Sequence, residues 1–248
     1  LASFSAEKNQ NKRRVNYPLM LLIASGVSQR RAAIILKVTR KTVARKFQFL
    51  AMECKRKNRL WLEQTYLNHK VKEAQFDDLI TIEHTKLKPL SVSTIVDKNT
   101  MKILGTKVSQ IGAFGHLAQL SRKKYGKRKN NHKEKISDLF NETKKYIHPF
   151  AKFESDEHRT YPIIVKKYFP QATHLRYKGG RGAIAGQGEL KKLRFDPLFA
   201  INHTYAMFRA NINRLFRKTW NTTKTISQLQ NHLEIYTYAF NLGLISSK

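Results

Sequence analysis

At Val71 the spacing of apolar side chains changes, and that change limits the architectures open to the chain. Before it, apolar residues return every three or four positions, as Val43, Phe47 and Leu50 do, which is the rhythm of a helix face. After it come three β-forming stretches, 74–82, 90–96 and 101–108, with the turn Asp97-Lys98-Asn99-Thr100 between the last two. Strands joined this closely make an antiparallel meander. Helical and strand patterns then alternate. Helices are expected around 116–124, on the stripe Ile136, Leu139, Phe140, Thr143 and Ile147, and over 161–169, closed by Pro170; strands are expected at 150–154 and 173–177. Asp196-Pro197, an acid followed by proline at the first helical position, opens a further helix with the stripe Ile201, Tyr205, Phe208, Ile212 and Leu215. The last helix carries Ile226, Leu229, Leu233, Tyr236 and Phe240. The expected fold class is α/β: a helical region over 1–70, then a mixed sheet flanked by helices over 71–248.

Charge narrows the function. Lys and Arg number 48 and Asp and Glu 17, a formal net charge of +31. A polyanion is the expected partner, and nucleic acid is the obvious one. Apolar residues make up 41% and aromatics 10%, enough for a core, so this is not a disordered basic tail. The longest apolar run, YPLMLLIA at 17–24, is too short to span a bilayer and lacks a small-residue cleavage pattern, so no membrane partner is expected. The one cysteine, Cys54, excludes an internal disulfide and a cysteine-cluster zinc site and fits a reducing cytosol.

Residues 1–70 hold 16 Lys or Arg against three Glu. Within them Ser28 is a good N-cap, and Ala32, Ala33 and Leu36 form the apolar face of a short helix. Thr39 caps a second helix carrying Val43, Phe47 and Leu50. Two short helices joined by such a turn form a helix-turn-helix, whose second helix enters the major groove. Arg40, Lys41, Thr42, Arg45 and Lys46 are then placed to touch bases or phosphates. The alternative is a helical hairpin with a solvated basic face. Residues 55–69 read as the end of the recognition helix plus a connector.

Against this charge, two acidic pairs stand out: Asp77-Asp78 on the first expected strand, and Asp156-Glu157 just after the fourth. Acids can serve as caps and turn residues. On a phosphate-binding surface, carboxylates also hold divalent metal for phosphoryl transfer. If the two strands are neighbours, Asp77 and Asp156 converge at one sheet edge, and a third ligand comes from the helix near Asp196 or the loop before it.

In QFDDLITIEHTKLKPLSVSTIVD (75–97), SDEHRTYPIIVKKYFPQATHLRYKGGRGAIAGQGELKKLRFDPLF (155–199) and INHTYAMFRANINRLFRKTWNTTK (201–224), the chain resembles the insertion-sequence transposases with a ribonuclease H-like, retroviral-integrase-type catalytic core. The likeness, specific in order and spacing rather than in any one motif, covers nearly the whole chain once the helix-turn-helix is included. It implies DNA strand cleavage and strand transfer at element ends with two Mg²⁺ ions (Mn²⁺ as a substitute), held by Asp77, Asp156 and a third residue. By position the third is Asn202; Glu189 is the alternative, and Asp78 the alternative to Asp77. The resemblance further implies double-stranded DNA as partner, a homo-oligomer in the synaptic complex, and a bacterial cytoplasmic, nucleoid-associated location. Arg181, Arg209, Arg214, Arg217 and Lys218 would hold the strand, and the basic stretch 122–135 would track phosphates. His84, His158 and His203 lie near the acids as candidate bases. The competing reading is a catalytically inactive, DNA-binding remnant or regulator derived from a transposase.

Overall fold

A computed structural model describes residues 11–178, 196–216 and 222–245. Helices α1 (Asn16–Ala24), α2 (Gln29–Ile35) and α3 (Arg40–Tyr66) come first. The two N-caps are made as their sequence requires. Ser28 Oγ accepts from Arg31 N at 3.3 Å and Thr39 Oγ1 from Thr42 N at 3.2 Å, so each satisfies a main-chain donor that the helix leaves unpaired.

Helix α3 has no separate connector. It runs 27 residues unbroken, because no Gly or Pro interrupts it and its buried face continues through Leu50, Cys54 and Leu62 to Tyr66. Its first half packs with α1, α2 and Ile235 and Ala239 of α8 (Ile226–Asn241). Its last turns, with Leu62 and Tyr66, enter the core of the sheet. The first 70 residues therefore do not close a core of their own: α8 buries one side against them and another, through Leu229, Leu233 and Tyr236, against the sheet.

The sheet contains β1 (Val71–Glu83), β2 (Thr85–Asp97), β3 (Ile103–Gln110), β4 (Ile147–Asp156) and β5 (Thr173–Tyr177) in the order β3-β2-β1-β4-β5. The first three strands form the expected antiparallel meander, and β4 and β5 join parallel to β1. Helix α4 (Leu117–Tyr125) lies against β2. On one face, Phe76, Ile95 and Phe153 pack with α5 (His132–Thr143) and α6 (Tyr161–Tyr168). On the other, Leu79, Val92 and Val96 pack with α7 (Phe199–Asn211) and α8. Among the described residues no helix is long and apolar enough to cross a membrane.

Two boundaries differ from the sequence pattern. Ile147, expected on the helical stripe, begins β4. The pair His148-Pro149 follows, and a residue before proline is pushed out of the helical region, so the chain turns extended there. Helix α7 stops at Asn211; Ile212 is extended at ψ 102° and a 3-10 turn covers Asn213–Leu215. Ile212 and Leu215 still reach the expected core. Where α5 crosses β3, an added Cβ at Gly105 would meet Leu139 Cδ1 at 2.8 Å and Thr143 Cγ2 at 2.9 Å. Gly105→Ala is expected to destabilise the fold by about 1–3 kcal/mol through overpacking, read as a lower urea midpoint. An unchanged midpoint would mean that α5 can shift away.

Candidate functional site: a carboxylate pair between parallel strands

Strands β1 and β4 pair with Ala74 beside Phe153 and Gln75 beside Glu154. Carried two residues further, the same offset brings Asp77 level with Asp156, and residues level on adjacent parallel strands share a face. That face is the one α7 covers. Strand β4 ends at Asp156 while β1 continues to Glu83, so the pair sits where the parallel neighbour of β1 stops. The two acids act on each other. Burial, reinforced by the negative charges of Asp156 and Asp78, pushes the Asp77 carboxyl up to about 7.

Asp78 points to the opposite face, and its oxygens are already taken. It accepts from Ser91 Oγ at 2.7 Å, from Ser93 Oγ, and from the Tyr161 hydroxyl at 2.8 Å, and it pairs with His132 Nε2 at 2.6 Å. Burial alone would raise its pKa, but the bonds from His132 and the two serines outweigh burial and hold it below the ordinary value. Asp78 is thus a saturated carboxylate, and Asp77 is the one with fewer side-chain partners. The Tyr161 hydroxyl also lies 3.3 Å from Asp77 Oδ1, so it spans the two acids.

Residues two positions earlier on each strand build the floor. Glu154 is buried and takes Lys98 Nζ at 2.8 Å, Lys152 Nζ at 3.1 Å and Gln75 Nε2 at 2.8 Å. Burial works against its charge, yet these three donors keep its pKa below the usual value. Gln75 then grips the start of α7: its Nε2 donates to Pro197 O at 2.7 Å and its Oε1 accepts from Ile201 N at 3.1 Å. One turn on, the Tyr205 hydroxyl donates to the carbonyl of Asp77 and approaches that of Val92 at 3.2 Å. Helix α7 is therefore docked on β1 immediately around Asp77. The pattern of period two puts Gln75 and Glu154 on the faces of Asp77 and Asp156, so alternation was the signal that could have found them.

Asp196 does not cap α7: its Oδ1 accepts from Leu198 N at 3.0 Å in a turn, Pro197 stays in that turn, and the helix starts at Phe199 with Leu198 at its N-cap. Asn202 lies exposed on the first turn of α7, beside the clamped Ile201, and its amide donates to Asp196 Oδ2 at 2.8 Å. Glu189 lies outside the described residues. Among the described residues no three His, Cys, Asp or Glu side chains gather as a metal-binding group. Of the three histidines, only His158 bonds to the pair: its main-chain N–H donates to Asp156 Oδ1 at 2.9 Å, and its ring lies against Tyr161. His203 stacks on Phe199, and His84 sits near Lys224 at the β1–β2 hairpin.

The expected DNA contacts divide. Arg40, Lys41 and Arg45 are exposed on α3, and Thr42 shares a hydrogen bond with the capping Thr39. Lys46 is corrected: it is 4% exposed and its Nζ donates to Asn16 Oδ1 at 2.6 Å, because the helical turn that carries Val43 and Phe47 into the core takes Lys46 with it. In the basic stretch, Arg122, Lys123, Lys124, Lys127, Lys129 and Lys133 are exposed, whereas Arg128 is committed to Glu83 at 3.1 Å. Arg209 is half-buried one turn beyond Tyr205, and Arg214 is half-buried over the Phe47 ring. Arg181, Arg217 and Lys218 lie outside the described residues. No protein-family model and no curated protein matches the chain.

Proposed function

We propose that the protein is a transposase that cuts and rejoins DNA strands at the ends of an insertion sequence, on a ribonuclease H-like core preceded by a DNA-binding helix-turn-helix. The observation that carries the reading is the juxtaposition of Asp77 and Asp156 on neighbouring parallel strands, in a sheet of order β3-β2-β1-β4-β5, on a chain of net charge +31. The donor set fits a divalent cation. Two carboxylates near enough to feel each other's charge, one of them buried enough to titrate near neutrality, are costly for the protein alone, and a cation offsets that cost.

Asp77 and Asp156 would hold Mg²⁺ or Mn²⁺, with Asn202 as the third ligand once its amide leaves Asp196. Bound there, two such ions would supply an activated water or 3′ hydroxyl and stabilise the leaving oxygen. The chain's own part is positional. The His158 N–H orients Asp156, Tyr161 and Tyr205 steady Asp77, and Gln75 keeps α7 seated beside it. Arg40, Lys41 and Arg45 on α3 and the exposed lysines of 122–135 would grip phosphates, so DNA binding should fall steeply with salt.

The test is Mg²⁺-dependent cleavage of duplex carrying an element end. Asp156→Ala is expected to lower cleavage by more than about a hundredfold, beyond the loss that follows removal of an outer-shell partner, with DNA binding retained. Cleavage that survives Asp156→Ala, or persists in chelator, defeats the reading. One observation favours a second reading, a DNA-binding remnant or regulator without catalysis: Asn202 is engaged with Asp196. That reading predicts binding without cleavage under every metal condition.

A further inference from the structure

Asp77 and Asp78 face opposite sides of β1, yet one hydroxyl reaches both. Tyr161 opens α6, and its ring packs against Phe76 and against His158, each 4.8 Å away between centres. Its hydroxyl stands 2.8 Å from Asp78 Oδ2 and 3.3 Å from Asp77 Oδ1. A phenol carries one hydrogen, so the two carboxylates compete for a single donor. With no other donor present, the nearer Asp78 would hold it. Asp78 has other donors. His132 Nε2 meets the same Oδ2 at 2.6 Å, while Ser91 Oγ and Ser93 Oγ both donate to Oδ1. A carboxylate only accepts, so the His132 nitrogen brings the hydrogen. The backbone fixes where His132 stands. It is the first residue of α5, its N–H donates to Asn130 Oδ1 at 3.1 Å, and Asn131 beside it exchanges two bonds with Gln110 at the end of β3, at 2.8 Å and 3.2 Å. Both His132 and Tyr161 are buried, where a hydrogen bond to a charged group is stronger than in water.

We propose, on the reading of Asp77 and Asp156 as a cation site, that His132 is a positioning residue for Asp77, acting through Asp78 and Tyr161. By satisfying Asp78 Oδ2, His132 leaves the Tyr161 hydrogen to turn to Asp77, and that bond holds the Asp77 carboxylate in one orientation. Without His132 the hydrogen is drawn to Asp78, and Asp77 loses its Tyr161 donor. Losing a partner that orients a ligating side chain weakens metal binding about 10–100-fold.

The test is Mn²⁺ binding to the full chain, followed by electron paramagnetic resonance, with the urea midpoint of each variant as the check on folding. Tyr161→Phe, which keeps the ring and removes only the hydroxyl, and His132→Leu are each expected to weaken binding about tenfold or more. Because His132 acts only through the tyrosine, adding His132→Leu to Tyr161→Phe should cost no further affinity. His132→Gln, whose amide can donate from the place of Nε2, should regain most of what His132→Leu loses. Undiminished affinity in either single variant, losses that add in the double variant, or no recovery in His132→Gln would overturn the proposal. Should His132→Leu fail to fold, His132→Asn, whose shorter amide stops short of Asp78, replaces it under the same criteria. Asp77→Asn separates the proposal from the reading beneath it. No Mn²⁺ binding in wild type, or binding that survives Asp77→Asn, defeats the cation site and the proposal together. Binding lost in Asp77→Asn but untouched by Tyr161→Phe and His132→Leu defeats the proposal alone.

Discussion

At pH 8 and without divalent ions, Asp77→Asn is expected to melt several degrees above wild type and to support no strand cleavage. The cause is the burial of Asp77 beside Asp156, which lifts its pKa from 3.8 to about 7 in the folded chain. An acid whose folded pKa is raised binds its proton more tightly in the native state than in the unfolded one. Stability from this group is therefore highest below the unfolded value and declines as pH rises from about 4 to about 7, levelling off above that. The full loss is on the order of 4 kcal/mol. An amide has no charge to bury, so the variant escapes the loss, and its stability should be flatter over the same pH window. Mg²⁺ should raise the Tm of wild type and leave that of the variant unmoved, since bound ligand stabilises only the form that binds it. A variant that melts below wild type at pH 8, with unchanged pH dependence, would show that the crowding at Asp77 is not felt as free energy.

Glu154→Ala is expected to be damaging for the opposite reason: here a buried charge is well matched. The Glu154 side chain is 1% exposed, while its partners Lys98 and Lys152 are 26% and 38% exposed. Removing the carboxylate leaves the lysines partly wet, which moderates the cost, but it also opens a void and frees Gln75. A loss of about 3 kcal/mol is expected, at the lower end for breaking a buried pair. The pKa of Glu154 is depressed, so its contribution is present above the unfolded value near 4.5 and fades as pH falls through the folded one. The Glu154→Ala penalty should therefore shrink in acid. Gln75 links this acid to α7, and faster amide exchange at Ile201 should report the loosened helix. Normal exchange at Ile201 with an intact urea midpoint would remove Glu154 from the positioning role assigned to it.

Much of the scaffold could be read along the chain. Ser28 and Thr39 cap where their spacing put them, the alternation over 90–96 became β2, Ile201, Tyr205 and Phe208 became the buried face of α7, and Leu229, Leu233 and Tyr236 that of α8. These signals work over a few residues: a cap reaches three positions along, and a helix or strand period repeats every two to four. The same locality explains the failures. Lys46 was indistinguishable from Arg45 until the face shared with Val43 and Phe47 met Asn16, 30 residues away. The choice between Asp77 and Asp78 depended on which face of β1 received α5 and α6 and which received α7.

What the order of residues determined by itself was the set of elements, their buried stripes and the sparse acids in a cationic chain. What only the tertiary structure decided was their meeting. Strand β4 had to align beside β1 across 79 residues for Asp156 to stand level with Asp77, and α7 had to be seated by Gln75 on the same face. Side-chain periodicity says which residues share a face, but burial, neighbouring charge and hydrogen-bond partners arise only when distant faces pack. Those three are what raise the pKa of Asp77 beside Asp156 and tie Asp78 to His132 and two serines.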